Sequence, residues 1–64
     1  MTIGIEGMHS QACLAKVRRA LENIQGARVR EVRMGAAVVD LDPARQSLAL
    51  DAIRRAGYQP HIAA

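Results

Sequence analysis

The sequence predicts an α+β fold, a four-stranded antiparallel sheet with two helices on one face. Three observations predict it. Apolar residues alternate with period two at the start of the chain, recur every three and four residues in two longer stretches, and return to short extended runs between and after those stretches. Glycine, proline and serine stand at the junctions where the period changes. The chain has 64 residues, of which 50% are apolar, enough for one domain built on a thin two-layer core.

The elements follow in order. Residues 2–6, TIGIE, place Ile3 and Ile5 on one face of a half-buried strand that Gly7 ends. From Gln11 the period changes, and Leu14, Val17, Leu21 and Ile24 form one helical stripe, with Lys16, Arg18, Arg19 and Glu22 turned to solvent. Ser10 is placed to cap that helix through its hydroxyl, and Gly26 to end it. Val29 and Val32 are three apart, which a regular strand does not produce, so the β-branched run there is expected to carry a bulge or change face. Met34-Gly35 marks a tight turn, and residues 36–41, AAVVDL, complete a hairpin. Asp42-Pro43 stops the strand, and the second helix starts there or at Ser47. It carries Leu48, Ala49, Ala52, Ile53 and Ala56, has Arg54 and Arg55 in its last turn, and stops at Gly57. Residues 58–62, YQPHI, read as a short strand that Pro60 confines to a sheet edge. The order strand, helix, strand, strand, helix, strand is that of the ferredoxin-like sandwich, here a single domain over residues 1–64.

Composition removes several classes of function. The net charge is +3, and all but one of the 9 basic residues are arginines, but they are dispersed. With Tyr58 as the only aromatic there is no platform on which bases would stack, so nucleic acid is not expected as a partner. No stretch approaches a membrane span and no signal-peptide pattern is visible. A single cysteine excludes an internal disulfide. The chain is therefore expected to be a cytoplasmic protein without membrane insertion.

The residues able to carry chemistry gather in GMHSQAC, residues 7–13. Cys13 falls in the first turn of the first helix, where the dipole and free N–H groups favour a thiolate, a soft metal ligand and a nucleophile. It equally fits a small residue packed beneath the loop. His9 lies four residues earlier, and a neutral imidazole accepts copper or zinc. Met8 carries a weak thioether donor but reads better as a core residue. His61 lies in the last strand and reaches the loop only if the C-terminal segment curls back. Tyr58 reads as a hydrophobic cover. A cysteine–histidine nucleophile lacks an orienting third group, an oxyanion hole and a substrate pocket, so an enzyme is not expected.

The run Gly7-Met8-His9-Ser10-Gln11-Ala12-Cys13 after a first strand, and Ala56-Gly57-Tyr58 after a second helix, resemble the heavy-metal-associated (HMA) domain. The resemblance spans essentially the whole chain. The family contains small cytosolic copper chaperones and N-terminal domains of copper-transporting ATPases, and its motif is G-M-x-C-x-x-C, with two cysteines holding copper(I). Cys13 matches the second cysteine, Met8 the residue that anchors the loop, and Tyr58 a position that packs near the metal. Ser10 stands where the first cysteine belongs, and a hydroxyl is a hard, poor partner for copper(I). The resemblance thus implies a copper(I)-binding, chaperone-like protein with metal ligands drawn from Cys13, His9 and His61, acting in copper homeostasis. Its acceptor would be a copper-transporting ATPase or another copper-binding protein. The second ligand is open between histidine, an external thiol such as glutathione or a partner domain's, and Cys13 of a second chain, which would make a weak metal-bridged dimer in place of a monomer. Two other outcomes stand beside it: a thiol redox module that takes glutathione, and an HMA-like domain that has lost metal binding.

Overall fold

Period-two alternation becomes four strands and the two helical stripes become two helices in the computed structural model, which describes residues 1–63. Strand β1 is Thr2–Glu6, helix α1 is Gln11–Glu22, β2 is Arg28–Arg33 and β3 is Ala36–Asp40. A 3-10 turn over Pro43–Arg45 leads into α2, Gln46–Arg55, and β4 is Gln59–Ile62. The sheet order is β2-β3-β1-β4, and every pairing is antiparallel. This is the expected ferredoxin-like arrangement.

The core explains why both helices share one face. Ile3 and Ile5 of β1 and Ala37 and Val39 of β3 point the same way and meet Val17 and Leu21 of α1 and Ala49 and Ile53 of α2. Burying a side chain such as Leu21 or Ile53 contributes about 1.5–3 kcal/mol each. Among the described residues the opposite face of the sheet carries no helix. Pro60 lies in the edge strand β4, opposite Ile5, where its missing N–H breaks no ladder.

The irregular valine spacing resolves as a bulge. Val29 pairs with Val39 and Glu31 with Val38, leaving Arg30 as the extra residue. The shift lets Val29 and Val32 both pack on the core, while Arg30 reaches the carboxylate of Asp40.

Three junctions differ in detail from the expectation. Helix α1 ends at Glu22 with Asn23 as its cap, and Gly26, at φ +86°, serves the turn into β2. Ile24 still packs on the core, because its N–H continues the turn to the Leu21 carbonyl at 3.1 Å. At the second helix, Asp42 accepts the Ala44 N–H at 3.0 Å and caps the 3-10 turn, so α2 proper begins at Gln46. Ser10 is the N-cap residue of α1 by backbone, at φ −152° and ψ 169°, but its hydroxyl makes no capping bond. Its side chain is turned toward Cys13 instead.

The end of α2 positions the site. Gly57, at φ +102°, closes a paired cap in which the Tyr58 N–H reaches the Ile53 carbonyl at 3.2 Å and the Gly57 N–H reaches the Arg54 carbonyl at 3.0 Å. A residue with a Cβ is strained there. This cap turns Tyr58 back over the loop that follows β1.

Candidate metal centre

The loop after β1 leaves the sheet at Gly7, whose φ of +100° only glycine adopts readily. Met8 then turns inward and is 7% exposed. Its sulfur accepts the Gly35 N–H at 3.4 Å, and the Ile5 N–H bonds the Gly35 carbonyl at 2.8 Å. The turn between β2 and β3 therefore clamps the base of the loop. Met8 is a core residue with its thioether engaged, so it is not free to bind a metal.

Cys13 is half-buried in the first turn of α1, and its N–H bonds the Ser10 carbonyl at 3.0 Å. Its sulfur lies 3.6 Å from the Ser10 hydroxyl. The Tyr58 hydroxyl faces the same sulfur. Hydrogen bonding from Tyr58, then from the His9 backbone, the Ser10 side chain and the Ser10 backbone, lowers the thiol pKa from 9.0 to about 6, against a smaller opposing effect of burial. The same contact raises the Tyr58 phenol, because the thiolate stabilises the proton that the hydroxyl donates. This lowering favours the thiolate at neutral pH. The first turn of α1 contains no acidic residue to oppose it.

His9 is exposed in the same loop, and its backbone contributes to the lowering of the Cys13 thiol. His61 is elsewhere. It pairs with Gly4 across β1 and β4, and its imidazole covers Gly4 so closely that a methyl group there would collide with it. Ile3 and Ile5 point into the core, so Gly4 and His61 lie on the uncovered face of the sheet, opposite the helices. Of the expected set Cys13, His9 and His61, the first two share the loop at the head of α1, and the register puts His61 over Gly4 on the other face of the sheet. Strand alternation puts Pro60 and Ile62 on the helix side of the sheet, with Ile62 exposed at its edge, and His61 on the other. Among the described residues no three His, Cys, Asp or Glu side chains converge on a common point. No helix among them is long and apolar enough to cross a membrane.

One contributor exceeds its expected role. Tyr58 is more than a cover: it is 9% exposed, packs beside Gly7, and has the largest effect in lowering the Cys13 thiol. The sequence signal for it was Gly57-Tyr58 at the end of a helix, which fixes where the ring turns but not what its hydroxyl meets.

Chemically, the centre presents one soft, partly exposed thiolate ringed by donors that stabilise negative charge. That suits a thiophilic metal ion.

Comparison with solved structures bears on what this arrangement is for. A copper binding domain from HMA7, a P-type ATPase, matches with a TM-score of 0.91 and 29% identity, over 100% of this chain and 92% of that one. The PacS N-terminal domain from Synechocystis PCC6803 matches with a TM-score of 0.85 and 26% identity, over 98% and 94%. A third structure, described as "Crosstalk between Cu(I) and Zn(II) homeostasis", matches with a TM-score of 0.82 and 30% identity, over 97% and 94%. The chain belongs to the HMA domain family. No protein-family model and no curated protein sequence matches it. As an HMA domain it keeps the fold and the loop at the head of α1, and its own sequence places a hydroxyl, Ser10, beside the single thiol of that loop.

Proposed function

We propose that this HMA domain binds copper(I) through the Cys13 thiolate and passes it to an acceptor thiol, without acting as an enzyme. The observation that carries this reading is the partly exposed Cys13 sulfur at the head of α1, 3.6 Å from the Ser10 hydroxyl, with its thiol lowered to about 6. The structural similarity to the copper binding domain of a P-type ATPase supports it. Copper(I) is soft and accepts two or three ligands, so a lone thiolate is a competent first ligand and an incomplete site. The second ligand is the His9 imidazole or a thiol from outside the chain, and Ser10 is a poor donor for either role. Copper-transporting ATPases or other copper-binding proteins are the acceptor class.

The chemistry is ligand exchange. An incoming thiolate adds to the bound ion while Cys13 still holds it, and the Cys13–copper bond then breaks. Tyr58 and the loop N–H groups stabilise the charge left on the Cys13 sulfur, so release does not await a proton. The exposed cations Lys16, Arg18 and Arg19 on α1 favour approach of an acidic acceptor. Copper(I) titration against a competing chelator under reducing conditions tests the reading. Saturation near one ion per chain, abolished in Cys13→Ala, is the expected result, and unchanged binding in that variant overturns it.

A further inference from the structure

The two helices leave a groove on their outer side that neither the core nor the Cys13 loop uses. Each helix carries a second stripe beside the one packed on the sheet. On α1 it holds Lys16, Arg19, Ala20 and Asn23, and on α2 Leu48, Ala52, Arg55 and Ala56. These residues line two adjoining cavities of about 380 and 450 Å³ that share Ala20, Asn23, Ala52 and Arg55. Lys16 and Ala56 line one end, Ile24 and Leu48 the other, so the groove follows α1 away from the loop. From Lys16 to Ile24 the helix rises about 12 Å, or roughly two turns.

The floor is apolar and the rim is cationic. Ala20, Ala52 and Ala56 are half-buried, and Leu48 is 50% exposed at the far end. Lys16, Arg19 and Arg55 are exposed, and none of them is paired with a carboxylate among the described residues. Asp51, the acidic lining residue, is already paired with Arg54 at 3.1 Å. Arg45 closes the far end by donating to the Gln25 carbonyl at 2.9 Å. The net charge of +3 sits on this side of the molecule: the two helices and the turn before α2 hold Lys16, Arg18, Arg19, Arg45, Arg54 and Arg55 against Glu22 and Asp51.

We propose that this groove docks an acidic amphipathic helix of a partner protein, with small apolar residues on Ala20, Ala52 and Leu48 and carboxylates on Lys16, Arg19 and Arg55. A third helix settles between two others where the floor is small enough for its axis to approach to about 8–10 Å, and three alanines provide that floor. Carboxylates three or four residues apart on the incoming helix match Lys16 and Arg19 on one wall, with Arg55 on the other. A lipid surface is a poorer fit, because most of the apolar surface is recessed behind the charged rim and cannot enter a bilayer. No residue of the Cys13 loop lines the groove, so the docking stands whether or not Cys13 holds copper.

The test uses the copper-free chain and a stapled, fluorescein-labelled amphipathic helix with an alanine–leucine stripe flanked by glutamates. The control is the same helix with glutamines in place of the glutamates. Fluorescence anisotropy reads the affinity, and amide chemical shifts locate the contact. The glutamate helix is expected to bind more tightly than its control and to shift Ala20, Leu48 and Ala52. Lys16→Gln/Arg19→Gln/Arg55→Gln should weaken it roughly eightfold, about twofold for each exposed cation. Ala52→Gln fills the floor, keeps every cation, and should also weaken it; circular dichroism checks the fold of both variants. No binding of the glutamate helix, equal binding by the triple variant, or equal binding by Ala52→Gln overturns the docking site. Phosphatidylserine vesicles bound in preference to the helix would assign the face to lipid and overturn it as well. Cys13→Ala should bind the helix as wild type does, which separates this claim from the copper reading; a loss there overturns the groove as an independent site.

Discussion

Tyr58→Phe removes a single hydroxyl and keeps the ring that covers the loop. Four influences lower the Cys13 thiol from 9.0 to about 6, and the Tyr58 hydroxyl is the largest of them. The largest of four carries at least a quarter of the lowering, so the variant's thiol should titrate at about 7 or above. At pH 7 the thiolate then falls from about nine chains in ten to about two in three or fewer. The ring stays packed beside Gly7, so the fold and the core are retained. The assay is the ultraviolet absorbance of the thiolate against pH, checked by the pH dependence of alkylation by iodoacetamide. Superimposable titrations of wild type and Tyr58→Phe would refute the claim that this hydroxyl holds the thiolate, leaving the loop N–H groups as its support.

The remaining predictions concern stability and the ligand set. Because the folded thiol is lowered, the unfolded chain binds the extra proton between about 6 and 9. Urea stability should therefore rise with pH across that window and lose its Cys13 contribution as the pH falls through about 6; Cys13→Ser should flatten this slope, and an unchanged slope would contradict the linkage. Met8→Ala empties a core site and leaves the Gly35 N–H without its sulfur, at a cost of about 2–4 kcal/mol by urea denaturation. A loss under about 1 kcal/mol would show that the loop is not anchored there. His61→Ala should leave copper(I) affinity unchanged, since His61 faces the uncovered side of the sheet. A marked loss in that variant would restore His61 as a ligand.

The sequence carried the architecture because each element announced its period. The stripe Leu14, Val17, Leu21 and Ile24 is the buried side of α1 and its following turn, and the odd spacing of Val29 and Val32 was the visible trace of the Arg30 bulge. Gly57 was legible as a helix stop because the cap requires positive φ. Boundaries blurred where local bonds compete: Asn23 ends α1 before Gly26, and Asp42 spends its carboxylate on a 3-10 turn. At the site, the first-turn position of Cys13 followed from the helix start. What the sequence did not carry were contacts between segments distant along the chain. The Tyr58 hydroxyl on the sulfur depends on how the α2 cap aims one ring, and the Met8 sulfur on the Gly35 N–H depends on a turn 27 residues away. The placement of His61 needed only the alternation of β4 once Pro60 is set on the helix side opposite Ile5, and proximity along the chain was a poorer guide than that alternation.

The central claim is that Cys13 alone in this chain supplies sulfur to copper(I). X-ray absorption on the copper(I)-loaded protein, prepared under anaerobic conditions without added thiol, counts the sulfur and nitrogen neighbours directly. The account predicts one sulfur from Cys13 with nitrogen beside it from His9, and a second sulfur once glutathione is added. Failure of the Cys13→Ala variant to differ from wild type, or a metal shell of oxygen and nitrogen with no sulfur, would contradict it.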